Sequence, residues 1–348
     1  MAVAAAPSVP APLVRVARLR AGWLAAGSAA VAVAVVTGVC FGTVALPAGE
    51  VVRELLWFDS ALTDTQRTVL WQIRLPRVVL GLLVGSTLAV SGASYQGTFR
   101  NPLADPYLLG AASGAGLGVT FVIVNLAEGS RTPLGAPAAA FLGALVAVGL
   151  TYLLGMAGTA RGSTASLILA GVAVSTFLTA VQTYVQQRNQ DTIREVYNWI
   201  LGRLTTAGWR EVLLILPYAA VSWTVLLVHR RSLDVLAVGD DEASSLGLHA
   251  RRTRLAVVIA ASLGTAAAVS VSGLIAFVGI IVPHTVRLLV GGSYRVIVPL
   301  SILFGGAFLV LTDLIARTVA SPAEIPIGVV TAFLGAPFFV LVLRASKR

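Results

Sequence analysis

The chain has 348 residues, of which 57% are hydrophobic and only 11% charged, and its mean hydropathy is +0.88. Soluble domains carry about 25% charged residues, so the composition argues against a soluble globule, a nucleic-acid binder and a disordered chain. The formal net charge is +10, but the basic residues lie between long apolar runs, which favours the positive-inside rule over nucleic-acid binding.

Several kinds of chemistry are disfavoured by residue counts. The only lysine is Lys347, so no P-loop lysine is present and we expect no P-loop ATP hydrolysis in this chain. Cys40 is the sole cysteine, and His229, His249 and His284 are far apart in sequence. We therefore expect no catalytic residues, no metal site and no cofactor in this chain.

Ten apolar runs are long enough to be membrane spans, which need roughly 20 residues each. They predict an all-α polytopic membrane protein with about ten transmembrane helices. Residues 1–20, rich in Ala and Pro with three arginines, are predicted to be a disordered cytoplasmic tail, and residues 21–348 a single transmembrane domain. The predicted spans are 21–46, 78–99, 107–127, 134–158, 163–187, 212–228, 255–272, 274–291, 297–316 and 326–343.

One apolar run, from Leu255 to Pro283, is ambiguous in length. As one helix it would be about 43 Å long, which is too long for one span and short for two. Arginines flank both of its ends, and Ser272-Gly273 is a natural break in its middle. We therefore predict that the run crosses the membrane twice.

The charge distribution orients these spans. With both termini in the cytoplasm, 15 of the 25 basic residues lie on the cytoplasmic side, whereas basic and acidic residues nearly balance on the other. This asymmetry has the sign that the positive-inside rule requires.

The segment 229–254 is a predicted cytoplasmic loop that contains a short helix. Acidic residues follow Gly239, which favours a helix N-terminus, and Gly247 suits a left-handed stop at its C-terminus. The helix either inserts into a groove of a partner or is a solvated connector.

Two further groups of charged residues have alternative interpretations. Arg74 and Arg77 flank Pro76 on the predicted outer side, where they form a rigid basic ledge or extend toward the lipid head groups. Asp313 and Arg317 are four residues apart on one predicted helix, so they either pair locally or leave Arg317 to face a partner.

Five long motifs, which span the chain from about residue 50 to its end, resemble the FecCD-type permeases of bacterial ABC importers. Those importers take up ferric siderophores, haem and cobalamin. The motifs are RLPRVVLGLLVGSTLAVSGASYQGTFRNPLADPYLLG (74–110), LILAGVAVS (167–175), GDDEASSLGL (239–248), SGLIAFVGIIVPHTVRLLVG (272–291) and SPAEIPIGVVTAFLGAPFF (321–339).

The resemblance implies ten helices per subunit and a dimer that forms one translocation pathway. It also implies three sets of functional residues. The docking arginines Arg74, Arg77 and Arg317 would receive acidic residues of an extracytoplasmic substrate-binding protein, and Ser163 and Thr164 would form the cytoplasmic gate. The segment that contacts the ATPase would include Gly239, Asp240, Asp241, Glu242, Ser245, Leu246 and Gly247.

The implied function is that of a permease subunit in the bacterial cytoplasmic membrane, without enzymatic activity of its own. It would carry a ferric siderophore inward, driven by two ABC ATPase subunits that hold ATP and Mg. Haem and cobalamin are alternative cargoes, and the second permease subunit is either identical or different.

An ion-coupled secondary transporter is the alternative class, but the predicted spans are almost free of ionisable residues, with Asp313 the exception. An intramembrane enzyme is a third class, and neither His-Glu-x-x-His nor Gly-x-Ser-x-Gly occurs.

Overall fold

The computed structural model describes residues 18–42, 46–126, 132, 134–157, 164–205 and 208–345. Within these residues the regular structure is helical. A π-helical segment at Val69–Arg74 joins α3 to α4 without a break, and a 3-10 turn at Gln190–Thr192 precedes α8. The helices are α1 (Ala21–Cys40), α2 (Ala48–Leu55), α3 (Asp64–Thr68), α4 (Leu75–Phe99), α5 (Ala111–Asn125), α6 (Gly135–Ala157), α7 (Thr164–Arg188), α8 (Ile193–Ile200), α9 (Trp209–Val238), α10 (Asp240–Ser245), α11 (Ala250–Ser272), α12 (Val278–Val290), α13 (Tyr294–Thr318) and α14 (Ile327–Ala345).

Ten of these helices correspond to the ten predicted spans. In the described part of the chain, 7 helical stretches are long and apolar enough to cross a membrane, and α5, α12 and α14 are shorter apolar helices. Large apolar side chains such as Leu153, Leu213 and Val228 are exposed on the outside of the bundle, as expected for a surface in contact with lipid. The all-α, polytopic prediction is confirmed.

The centre of the bundle is α4, which packs tightly because small residues face small residues. A Cβ atom at Gly85 would meet the backbone of Gly305 on α13, and one at Gly92 would meet Gly279 on α12. Such positions let helix backbones approach closely in a membrane protein. A buried hydrogen bond, 2.6 Å between the hydroxyls of Tyr95 and Ser262, joins α4 to α11.

Helices α5 and α12 begin deep inside the bundle, several residues later than their predicted spans. Gly279 packs against Leu88 and Gly92, which lie about 10 to 16 Å from the end of α4 at Phe99. The irregular segments that precede the two helices contact each other: the Tyr107 hydroxyl donates to the Ile275 carbonyl (3.0 Å) and accepts from its N–H (3.1 Å). Irregular backbone at this depth is tolerated because protein surrounds it.

The run 255–291 forms two helices, α11 and α12, as the predicted double crossing requires. The break lies at residues 273–277, where Gly273 (φ 69°) and Phe277 (φ 70°) take left-handed backbone conformations. The predicted loop 229–254 contains less irregular structure than expected. Helix α9 continues to Val238, because the segment lacks helix breakers and buries Leu233 and Leu236.

The bundle has two ends with different chemistry. The α10 end contains α10 itself, the C-terminus of α4 and the N-terminus of α11. The arginine end, opposite it, contains the C-termini of α1 and α13 and the N-terminus of α4.

Candidate functional site

At the α10 end, α10 is a short helix with a well-defined stop. The Leu248 N–H donates to the Ala243 carbonyl (2.9 Å) and the Gly247 N–H to the Ser244 carbonyl (2.9 Å). Together with φ of 80° at Gly247, these bonds form a Schellman motif. The helix and its glycine stop therefore match the sequence prediction.

Only one side of α10 is attached to the bundle. Ala243 is fully buried, whereas Leu246 is 71% exposed. The side chains of Asp241, Glu242 and Ser245 are also exposed. Ser244 is exposed as well, so the face that could contact a partner consists of two acids, two hydroxyls and a leucine.

Salt bridges tie α10 to the spanning helices. Arg254 on α11 donates from Nη2 to both carboxylate oxygens of Asp240, at 2.8 and 3.0 Å. Arg100, which follows α4, has Nη2 4.0 Å from Oδ1 of Asp240. The Arg254 pair therefore couples α10 directly to α11, and Arg100 brings α10 next to the end of α4.

A cleft of about 1000 Å³ lies beside α10. Asp240, Asp241 and Ser244 line one part of it, and His249, Arg251 and Arg252 another, with apolar groups from α6 and α7. A cleft of this size, with both signs of charge, suits an amphipathic segment of another protein.

At the arginine end, Arg77 binds two carboxylates. Its Nε and Nη2 donate to Asp313 at 3.0 and 2.8 Å, and its Nη1 and Nη2 donate to Glu324 at 3.0 and 2.9 Å. Both pairs have the bidentate geometry that makes guanidinium–carboxylate contacts strong. These bonds connect α4, α13 and the segment before α14.

Arg74 and Arg317 interact with the C-terminus of α1. Nη1 of Arg74 donates to the carbonyls of Val39 (2.8 Å) and Cys40 (2.9 Å), and Arg317 donates to the carbonyl of Gly38. Both arginines are only 5% exposed. They supply positive charge where the carbonyls at a helix C-terminus lack partners.

The three predicted docking arginines thus lie in one cluster, with internal partners. The local pair between Asp313 and Arg317 is present, with Nε and Oδ2 3.6 Å apart, but the hydrogen bonds of Asp313 go to Arg77. Sequence reasoning missed Glu324, although it is the only acidic residue between α13 and α14. Docking by Arg74, Arg77 and Arg317 stays a prediction.

The predicted gate is only partly described. Ser163 lies outside the described residues, and Thr164 is the first residue of α7. The gate at these positions therefore stays a prediction.

A polar stripe on α7 was also missed. Thr176, Thr179, Thr183, Tyr184 and Gln187 recur at helical spacing, are exposed, and line a shallow cleft of about 640 Å³. A polar stripe on an otherwise apolar helix is poorly matched to lipid.

Comparison with known proteins identifies the family. Residues 30–345 match the sequence model of the FecCD transport family. The chain belongs to this family. It is therefore an ABC importer permease embedded in a membrane, as the sequence motifs predicted.

Its relatives carry different cargoes. A cobalamin import system permease protein, BtuC of Halobacterium salinarum, is 44% identical over 81% of this chain and 74% of its own length. A hemin transport system permease protein, HmuU of Yersinia pestis, is 39% identical over 84% of this chain and 88% of its own length. An iron(3+)-hydroxamate import system permease protein, FhuB of Bacillus subtilis, is 35% identical over 91% of this chain and 84% of its own length.

A solved structure shares the fold. It is an inward-facing ABC transporter assigned to the metal-chelate type, with a TM-score of 0.83 and 29% identity, and the match covers 93% of this chain and 100% of that one. The predicted family is confirmed, and family membership alone does not select the cargo.

Proposed function

We propose that this chain is the membrane-spanning subunit of a binding-protein-dependent importer that moves a ferric siderophore inward. ATP hydrolysis takes place on two separate ATPase subunits, which hold ATP and Mg. The observation that carries the proposal is α10, a capped helix whose exposed face lies beside a cleft and whose Asp240 is bonded to Arg254 on α11. Such an element can transmit movement from a partner to the bundle.

The orientation follows from the same helix. If the ATPases bind at the α10 end, that end lies in the cytoplasm, together with Arg100, Arg251 and Arg252. The positive-inside rule supports this placement. It also puts both termini in the cytoplasm, with residues 1–20 as a tail and residues 21–348 as the permease domain.

The pathway is proposed to lie between two permease subunits. The polar stripe of α7 supports this, because hydroxyl groups would be shielded from lipid and would offer weak hydrogen bonds to a passing chelate. Ser163 and Thr164, where α7 begins, would then form the gate. The second subunit is a second copy of this chain or a related permease.

The siderophore is proposed as the cargo because two of the relatives are iron(3+) permeases. The names of FhuB and of a Fe(3+)-citrate import system permease protein, YfmD of Bacillus subtilis, 35% identical over 81% of this chain, refer to iron(3+) compounds. Haem and cobalamin are the alternative cargoes.

An ion-coupled transporter has less support. Such proteins use ionisable residues within the membrane to carry the coupling ion. Asp313, the one acid in a predicted span, is bound by Arg77 and is only 3% exposed. A carboxylate held in this way is poorly suited to exchanging protons or sodium.

Uptake into proteoliposomes tests the proposal. Vesicles containing the permease and its ATPases, with the binding protein outside, are offered an iron-labelled hydroxamate siderophore, hemin or cyanocobalamin. We expect ATP-dependent siderophore uptake that requires the binding protein. Uptake driven by a proton or sodium gradient without ATP would refute the importer, and ATP-dependent uptake of only hemin or cyanocobalamin would refute the siderophore assignment.

A further inference from the structure

The two carboxylates on Arg77 differ in how firmly the protein holds them. The Asp313 side chain is 4% exposed and lies within α13, whereas the Glu324 side chain is 33% exposed. Both bind Arg77 through two oxygens. Asp313 is thus the buried partner of Arg77, and Glu324 is the partner that solvent or another protein can reach.

Glu324 lies at a cleft large enough to admit another carboxylate. The cleft has a volume of about 160 Å³ and is lined by Arg77, Asn198, Arg203, Asp313 and Glu324, among others. With Glu324 in place, two arginines and two acids give a formal charge of zero. If the Glu324 carboxylate moved away, the remaining groups would carry a net charge of +1 and would attract an anion.

The segment that carries Glu324 leads directly into α14. The Ile325 N–H donates to the Ala316 carbonyl (2.9 Å), and the Gly328 N–H in the first turn of α14 donates to the Leu201 carbonyl (3.1 Å). Apart from these backbone bonds, the Arg77–Glu324 pair ties this turn to α4. Loss of that pair would loosen the start of α14.

We infer that Glu324 is an internal placeholder on Arg77 that a carboxylate of a docking protein replaces. The incoming group repeats the bidentate geometry that Glu324 occupies, so Arg77 keeps two carboxylate partners throughout. The exchange releases the turn before α14, so docking at the arginine end loosens the start of α14 inside the bundle. The inference rests on the proposed function, because it requires an acidic partner at the arginine end.

Binding affinity tests the exchange. The purified substrate-binding protein of the same transport system is titrated against the permease–ATPase complex in nanodiscs, for the wild type and for Glu324→Gln and Glu324→Ala. Removal of the internal competitor should tighten binding by up to about fivefold, the upper end of the range for a partly exposed ion pair. The gain should be larger for Glu324→Ala, because glutamine still accepts one hydrogen bond from Arg77.

A matched variant controls for net charge. Asp191→Asn removes an exposed carboxylate from the segment between α7 and α8, outside the Arg77 cluster, and should leave affinity unchanged. Basal ATP hydrolysis should rise in the Glu324 variants and stay the same in Asp191→Asn. Monodisperse elution and a cooperative melting transition show that the variants are folded.

The outcomes separate the inference from the proposed function. Unchanged or weaker binding by both folded Glu324 variants, while the wild type binds, overturns the placeholder alone. An equal gain in Asp191→Asn also overturns it, because the effect would then be one of net charge. If the wild-type complex binds no binding protein and its ATP hydrolysis is not stimulated, the proposed function fails, and the inference with it.

Discussion

Arg74 is expected to stabilise the C-terminus of α1, and Arg74→Met tests this. The change removes two hydrogen bonds from a charged donor to the carbonyls of Val39 and Cys40. Each such bond is worth about 1.5 kcal/mol at the low end of the range for charged groups, so the local loss is about 3 kcal/mol. Methionine fills much of the same volume, so the change mainly removes polar contacts.

Cys40 provides the assay. It is the only cysteine in the chain and is 2% exposed, so a thiol-reactive dye labels it only after the end of α1 opens. A loss of about 3 kcal/mol raises the open fraction, and hence the labelling rate, about a hundredfold. Arg74→Lys, which retains the charge without the planar fork, should give a smaller increase.

A surface arginine gives the comparison. Arg67 is paired with Glu54 at 3.4 Å, and its side chain is 45% exposed, so Arg67→Met should cost at most about 1 kcal/mol. If Arg74→Met labels no faster than the wild type, the stabilising role is refuted. If binding-protein affinity then also falls in that folded variant, Arg74 acts directly in docking.

Two further outcomes are expected. Gly247→Val places a β-branched residue at φ 80°, which costs about 1 to 2 kcal/mol and should deform α10, so that substrate no longer stimulates ATP hydrolysis. Asparagine tolerates this conformation, so Gly247→Asn should retain most of the stimulation. Equal stimulation in the wild type and both variants would contradict the coupling role. In a Cys40→Ser background, a cysteine at position 163 or 164 should crosslink to its counterpart in the other subunit when the gate is closed. The two cysteines should separate when ATP opens the gate. A crosslink yield that is the same in every nucleotide state would place the gate elsewhere.

The sequence alone predicted the features that depend on residues close together along the chain. Most of the spans are runs of about 20 apolar residues, because each must cover the hydrophobic thickness of the membrane. The stop of α10 at Gly247 follows from a local backbone preference for glycine. The break after Ser272 also lies at a glycine, Gly273, which takes φ of 69°.

The tertiary structure alone decided which partners the charged residues have and where two helices begin. Arg77 and Asp313 are 236 residues apart, so no local pattern could reveal that Asp313, besides its local pair with Arg317, would bind Arg77 through both of its oxygens. Likewise, the late start of α12 depends on Gly279 packing against α4. Hydropathy is a property of each segment, whereas a buried charge is stable only beside a partner that the folded chain brings to it.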